Sequence, residues 1–235
     1  MEIEPGRSKA LMYIIDKLYN NDFFGRIFHT MQYCLKSELS NCTRVLDIGC
    51  GHSSPIKYCE NIKYSVGVEP WKPYLKRSQE QEIHTEYQNK KIEALNFEEN
   101  SFDAVVLIEV IEHMSEELVS QIIEKSKKWA KKKIIITTPN GFVDQPEVDK
   151  NPFQKHLSGW DHKKMKDLGF KVKGLAGLKF LRKPKEDQDS MEGDLLVLIR
   201  YRPKFLWFVI ATLSQLFVYF IPKVAFGLFC AKELE

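Results

Sequence analysis

The sequence most clearly lacks cysteine pairs. Its five cysteines, Cys34, Cys42, Cys50, Cys59 and Cys230, are odd in number and form no C-x-x-C pair, which argues against a disulfide framework and against a structural zinc site. Charge of one sign is scarce as well: 35 Lys+Arg against 32 Asp+Glu leave a net +3, too even a balance to argue for nucleic acid. There is no internal repeat and no low-complexity linker. Met1 to Ala10 carries Glu2, Glu4, Pro5 and Arg7 but no apolar core, so no secretory leader is expected. An intracellular, reducing setting follows, cytoplasmic or peripheral at the inner membrane face. Hydrophobic residues at 43% and charged ones at 29% of 235 residues exclude wholesale disorder and a fibrous chain.

What is present divides into an N-terminal helical cap (1–40) and an α/β domain (41–235). From Leu11 to Leu39 apolar residues recur at helical spacing, first Leu11, Ile14, Ile15 and Leu18, then Phe24, Ile27, Phe28, Met31 and Leu35. Asn20-Asn21-Asp22 interrupts the run and can cap the second helix. Beyond it, short apolar runs at Arg44–Ile48, Tyr64–Val68, Phe102–Ile108 and Lys133–Thr138 alternate with helical patterns. Strands apolar on both faces with helices between them predict a parallel sheet inside a three-layer, Rossmann-like α/β fold. The helix before the fourth run is fully written: Ser115 at the N-cap, Glu116 and Glu117 in the first turn, lysines in the last. The lysines from Lys125 to Lys133 read as a solvated helix end. A short helix is expected over Asp161 to Leu168, and a strand around Phe170–Leu175.

The sharpest chemical signal is Val45-Leu46-Asp47-Ile48-Gly49-Cys50-Gly51, a strand running straight into a glycine turn. Gly49 and Gly51 allow backbone angles and close approach that a side chain would block. About twenty residues on, the second strand ends in Glu69, where doubly wound sheets grip a nucleotide ribose. Ser53, Ser54 and Pro55 follow the turn instead of a third spaced glycine. The ligand is therefore expected to be a nucleoside without a pyrophosphate, and a Rossmann oxidoreductase is disfavoured.

Four motifs together, Asp47-Ile48-Gly49-Cys50-Gly51, Val66-Gly67-Val68-Glu69-Pro70, Ser101 to Val106 and Glu109-Val110-Ile111-Glu112-His113, resemble the class I S-adenosylmethionine-dependent methyltransferases, closest to the small-molecule, ubiquinone-pathway and sugar-methylating type. The resemblance runs from about Cys42 to Leu175. It implies a seven-stranded, mostly parallel sheet whose last strand is antiparallel, and S-adenosyl-L-methionine as cofactor. It places the backbone of Gly49, Cys50 and Gly51 against the methionine part, Asp47 at its amino group, and Glu69 with Pro70 at the ribose. Glu109 and Val110 would close the pocket beneath. Where the family usually has an acid for the adenine amino group this chain has Lys91, leaving backbone near Ile92, or Glu93, for that contact.

Methyl transfer to a hydroxyl needs an in-line nucleophile and a base. His113, just after the fourth strand, is the first candidate base, and a cap or packing residue of the next helix is its plainer role. His156, in His156-Leu157-Ser158-Gly159-Trp160, is the second. Trp160 either stacks on the acceptor or anchors the loop in the core, with Asp161 capping a helix. Thr138-Pro139-Asn140-Gly141 is not the N-P-P-Y turn of base-methylating enzymes, so no nucleic acid is expected. The implied reaction is O-methylation of a small-molecule or lipid- or sugar-linked acceptor. The rivals are a non-catalytic cofactor-binding regulatory module and a membrane-surface enzyme acting on a lipid. No metal is called for.

One apolar stretch remains, Phe205–Ile221, polar only at Thr212, Ser214, Gln215 and Tyr219. As a helix of about 26 Å it falls short of a hydrocarbon core of about 30 Å. Packing within the fold or a homodimer, lying in a membrane surface with Arg200, Arg202, Lys204 and Lys223 on the headgroups, and spanning are the three options, in that order. Val224–Ala231 is then the last, antiparallel strand, and Leu195–Tyr201 is the alternative.

Overall fold

The computed structural model describes residues 13–145, 147, 150–183 and 198–234. The start of the chain at Met1 to Ala10 and the first residues of the alternative strand Leu195–Tyr201 lie outside them. Three helices come first among the described residues, α1 (13–19), α2 (Asp22–Phe28) and α3 (Met31–Glu38). The sequence spacing carried one helix from Phe24 to Leu35. It breaks instead because His29 closes α2 in the left-handed region (φ 49°) and Thr30 caps α3, its Oγ1 accepting from the Tyr33 amide. Gly25 lets the two helices cross, since a Cβ there would stand 2.8 Å from Tyr33 Cβ.

The α/β part follows as β1 (Arg44–Ile48), β2 (Tyr64–Val68), α4 (Lys72–Glu80), β3 (Glu86–Gln88), β4 (Phe102–Ile108), α5 (Glu116–Trp129), β5 (Ala130–Pro139), α6 (His162–Asp167), β6 (Lys171–Leu178), α7 (Lys204–Val218) and β7 (Ala225–Glu233). The strands form one sheet in the order β3-β2-β1-β4-β5-β7-β6. Only β7 is antiparallel, inserted between β5 and β6. Although the central strands are continuously apolar, their side chains alternate. Leu46, Ile48, Val105, Leu107, Ile134 and Ile136 share a core with α5 and Met165 of α6. Val45, Ala104, Val106 and Ile135 face α3 through Leu35 and Leu39. Burial on both faces is why no polar alternation marks these strands.

Two sequence expectations change at β5. The strand begins at Ala130, directly after α5, and Phe102 pairs with Ala130. The solvated helix end holds for Lys127 and Lys128 only. Lys133 is buried in β5, with Nζ 3.3 Å from Glu38 Oε2 and 3.4 Å from Glu233 Oε1. Those acids on α3 and β7 offset the desolvation of the ammonium and hold its pKa above the ordinary lysine value.

The C-terminal helix explains its own polar residues. β6 is an edge strand, and α7 lies along it. Gln215 accepts from the Gly177 amide (3.0 Å) and donates to the Gly174 carbonyl (2.9 Å), and Ser214 Oγ accepts from the Leu178 amide (3.0 Å). The unpaired edge of the sheet is thus covered by side chains. Among the described residues no helix is long and apolar enough to cross a membrane. Ile199 meets Arg182 in an isolated bridge, and the strand that completes the sheet is β7.

Candidate active site

The strand order reverses direction between β1 and β4, and ligands in open α/β sheets bind outside the carboxyl ends of strands at such a switch point. The glycine turn sits there. Gly49 (φ 72°) and Gly51 (φ 57°) both take left-handed backbone, and the Gly49 and Cys50 amides donate to the Val68 carbonyl at 2.8 and 3.0 Å. Val110 closes the turn from below: a Cβ on Gly49 would stand 2.6 Å from Val110 Cγ2. A Cβ on Gly51 would meet nothing within 4 Å, so the crest of the turn faces open space. Glu69, at the end of β2, reaches that crest. Its Oε2 accepts from the Gly51 amide at 3.1 Å and its Oε1 from the Trp71 amide at 2.7 Å. Asn89 steadies the same corner by donating to the Glu69 and Pro70 carbonyls, both at 2.9 Å.

Asp47 lies at the end of β1 as the sequence requires, but it is turned inward and is only 1% exposed. Its Oδ2 accepts from Ser54 Oγ at 2.5 Å and lies 3.3 Å from His84 Nε2, while His84 Nδ1 pairs with Ser65 Oγ at 3.1 Å. Ser54 and His84, which sequence reading did not single out, hold the turn from inside. Cys50 is buried beside Gly67, where loss of water and the carboxylates of Asp47 and Glu69 push its thiol far above the ordinary value. Lys91 is exposed, its Nζ 5.7 Å from the centre of the Phe153 ring, and the half-buried Ile92 packs against the main core.

A second polar cluster forms at the end of β4. Glu109 takes a positive φ (54°), rare for a residue with a side chain, and its amide donates to both the carbonyl and the hydroxyl of Thr137. Glu112, 3% exposed, accepts from Thr138 Oγ1 at 3.1 Å. Burial first, and then the neighbouring Glu109 carboxylate, push its carboxyl well above the usual range. The long loop after β5 is stitched to this corner: the Leu157 and Ser158 amides donate to the Glu112 carbonyl (2.8 and 3.1 Å), and Ser158 Oγ donates to the Ile111 carbonyl (3.2 Å). That stitching brings His156 to His113, ring centres 4.7 Å apart. His156 Nδ1 is 2.6 Å from the Val143 carbonyl and His113 Nδ1 is 3.3 Å from the Lys155 carbonyl. Burial holds the His156 pKa below its ordinary value. One ligand-capable atom from each of Glu112, His113 and His156 lies within 4.8 Å of the other two.

Trp160 takes the plainer of its two readings. It is buried in the core with Nε1 donating to Ser158 Oγ (2.7 Å), and Asp161 caps α6 through the Lys163 and Lys164 amides (2.8 Å each). Phe142 and Leu157, at either end of the loop after β5, are each 58% exposed. The sequence placed both histidines at the acceptor side but passed over Glu112. Its signal was the spacing of Glu109 and Glu112, two carboxylates three residues apart followed at once by His113.

The family described as "Methyltransferase domain" matches residues 46–136. Among solved structures, the methyltransferase domain of bacterial CtHen1-C is 14% identical over 86% of this chain and 96% of that one, with a TM-score of 0.51. The plantazolicin methyltransferase BpumL, in complex with SAH, is 13% identical over 99% and 91%, with a TM-score of 0.50. PH0226 from Pyrococcus horikoshii OT3 is 22% identical over 50% of this chain, TM-score 0.43, and the match spans about half (55%) of that protein. At these identities the likeness is one of fold. No curated protein matches the sequence.

Proposed function

We propose that this chain, which carries a class I S-adenosylmethionine-dependent methyltransferase domain, moves a methyl group from S-adenosylmethionine to a hydroxyl of a small-molecule or lipid- or sugar-linked acceptor. The observation that carries the reading is the contact between Glu69 and the glycine turn at the sheet's switch point. The Glu69 carboxylate lies against a glycine whose Cβ direction is open. Glu69 accepts from the two ribose hydroxyls there, Pro70 and Asn89 fix its backbone, and the open face above Gly49 to Gly51 takes the methionine part. Val110 floors the turn, and the Lys91–Ile92 segment borders the adenine. Asp47 serves the amino group indirectly, by holding the turn through Ser54 and His84.

The cofactor supplies a methyl group already activated on a sulfonium, so the protein's task is to orient the acceptor oxygen in line and relieve it of a proton. His113 and His156 are assigned to that oxygen. A carbonyl can only accept, so each ring carries its hydrogen on Nδ1 and presents a lone pair at Nε2. Titration calorimetry tests the cofactor half. S-adenosylhomocysteine binds and NAD(H) does not, and Glu69→Gln weakens the former by about ten- to a hundredfold, the cost of one or two charge-assisted hydrogen bonds. Binding of NAD(H) in place of S-adenosylhomocysteine overturns the assignment.

A specific surface favours a membrane-associated form of the same reading. Phe205, Leu206, Val209, Leu213 and Phe217 of α7 are exposed in one stripe, and Phe220, Ile221 and Val224 continue it. Arg202, Lys204 and Lys223 flank the stripe, which suits an anionic lipid surface. Vesicles containing phosphatidylglycerol should co-sediment with the protein, and Leu213→Ser with Phe217→Ser should cut that binding about tenfold. A salt-insensitive dimer indifferent to vesicles would remove the membrane contact.

A further inference from the structure

We propose that Lys91 and Phe153 form the base end of the nucleoside site, Phe153 stacking on the purine face and Lys91 Nζ donating to acceptor atoms on its edge, so that the site does not select for a 6-amino group. The inference rests on the nucleoside reading of the glycine turn and Glu69, and it adds which edge of the base the chain addresses.

The placement follows from the path of the chain beyond β3. Asn89 donates to the Glu69 and Pro70 carbonyls, both at 2.9 Å, and so ties the end of β3 to the corner assigned to the ribose. Two residues of extended chain cover about 7 Å, comparable with the reach of a purine beyond its sugar, and they bring the backbone to Lys91, itself extended (φ -74°, ψ 155°). Past Lys91 the turn Ile92–Ala94 is pinned to α5, because Lys125 Nζ donates to the Glu93 and Leu95 carbonyls, both at 3.2 Å. Phe153 arrives from the loop after β5 and is fixed as well. Asn151 Oδ1 accepts from the Phe153 amide at 3.0 Å, and Gln145 Nε2 donates to the Gln154 carbonyl at 3.0 Å. The two side chains meet with Lys91 Nζ 5.7 Å from the centre of the Phe153 ring.

The chemistry of the pair decides what it recognises. The Phe153 ring is half-buried, so part of its surface is open to a planar partner. Lys91 is exposed, and among the described residues no ion pair or hydrogen bond engages its Nζ. A lysine ammonium only donates. It pairs with the ring nitrogens of a purine or with a 6-oxo group, but it has nothing to accept a hydrogen bond from a 6-amino group. Lys90, also exposed, adds a second cation beside it, and the nearest acid along the chain, Glu93, is exposed on the pinned turn. Stacking on an aromatic ring is indifferent to the edge, since every base has a π-face. A base held between a ring and a donor is therefore read for its shape and its acceptors, and hypoxanthine satisfies Lys91 at least as well as adenine does.

Titration calorimetry on the full chain, comparing S-adenosylhomocysteine with S-inosylhomocysteine, in which hypoxanthine replaces adenine, tests this. The wild type is expected to bind the two within about fivefold of each other. Lys91→Glu should move the ratio toward S-adenosylhomocysteine by about tenfold or more, because a carboxylate accepts from the amino group and repels the 6-oxo group. Lys91 is exposed, so the variant keeps the fold, and a ratio taken within one variant is insensitive to a change in stability. Phe153→Leu should weaken both nucleosides alike, by about tenfold, and Glu93→Gln should leave each within about twofold of wild type. A wild type that prefers S-adenosylhomocysteine by more than about fivefold, a smaller shift in Lys91→Glu than the one expected, or a loss of S-adenosylhomocysteine binding in Glu93→Gln overturns the proposal and leaves the nucleoside reading standing. If neither nucleoside binds, the reading of the glycine turn fails, and this one fails with it.

Discussion

Two carboxylate–histidine clusters stand at the ends of neighbouring strands, and they differ in what surrounds them. At the end of β1, Asp47 is shut away from the groove: Ser54 donates to its Oδ2, His84 Nε2 stands 3.3 Å from the same oxygen without a hydrogen bond, and Ser65 takes the far side of the His84 ring. At the end of β4, Glu112 and His156 are also buried, but His113 and Glu109 open the cluster to the groove, and both imidazoles are tied from behind by backbone carbonyls. The same residue types differ in exposure: one set lies wholly inside the fold, and the other reaches solvent through His113 and Glu109.

The comparison can be broken by removing one carboxylate from each cluster. Asp47→Ala leaves the buried Ser54 hydroxyl and the His84 ring without their partner, so urea denaturation should show a loss of about 3 kcal/mol, and the glycine turn should loosen with it. Cofactor affinity should then fall although Asp47 makes no direct contact in the groove. Glu112→Gln should behave oppositely. It replaces a carboxyl pressed against Glu109 with a neutral amide of the same shape, so stability should stay within about 1 kcal/mol of wild type. Equal destabilisation by the two variants would erase the distinction between the clusters.

Much of the framework was legible because it is written locally. The β1, β2 and β4 boundaries coincide with apolar runs, and α5 carries its own cap and charge gradient in Ser115, Glu116 and Lys127. The Gly49–Gly51 turn and Glu69 were found because glycine conformational freedom and strand-end position are sequence properties. Other features were not readable. Asn140, noted in the sequence only for the motif it does not form, donates from its side chain to the carbonyls of Pro222, Lys223 and Ala225, fastening the end of β5 to the start of β7. Its partners lie more than eighty residues away. Lys133 looked like one more solvated lysine until Glu38 and Glu233 converged on it. Ser214 and Gln215 looked like blemishes in an apolar helix until the edge of β6 supplied their partners.

By itself the chain's alphabet decided the alternation of strands and helices, the place where the backbone bends on glycine, and the acid that waits beyond the next strand, since these follow from backbone angles and short-range burial. Folding in three dimensions decided which polar groups were shut inside and which reach solvent. Hydrogen-bond partners separated by forty or eighty residues are chosen by packing, and packing leaves no mark in a local window. The meeting of His113 with His156 beside Glu112 exists only in the folded molecule.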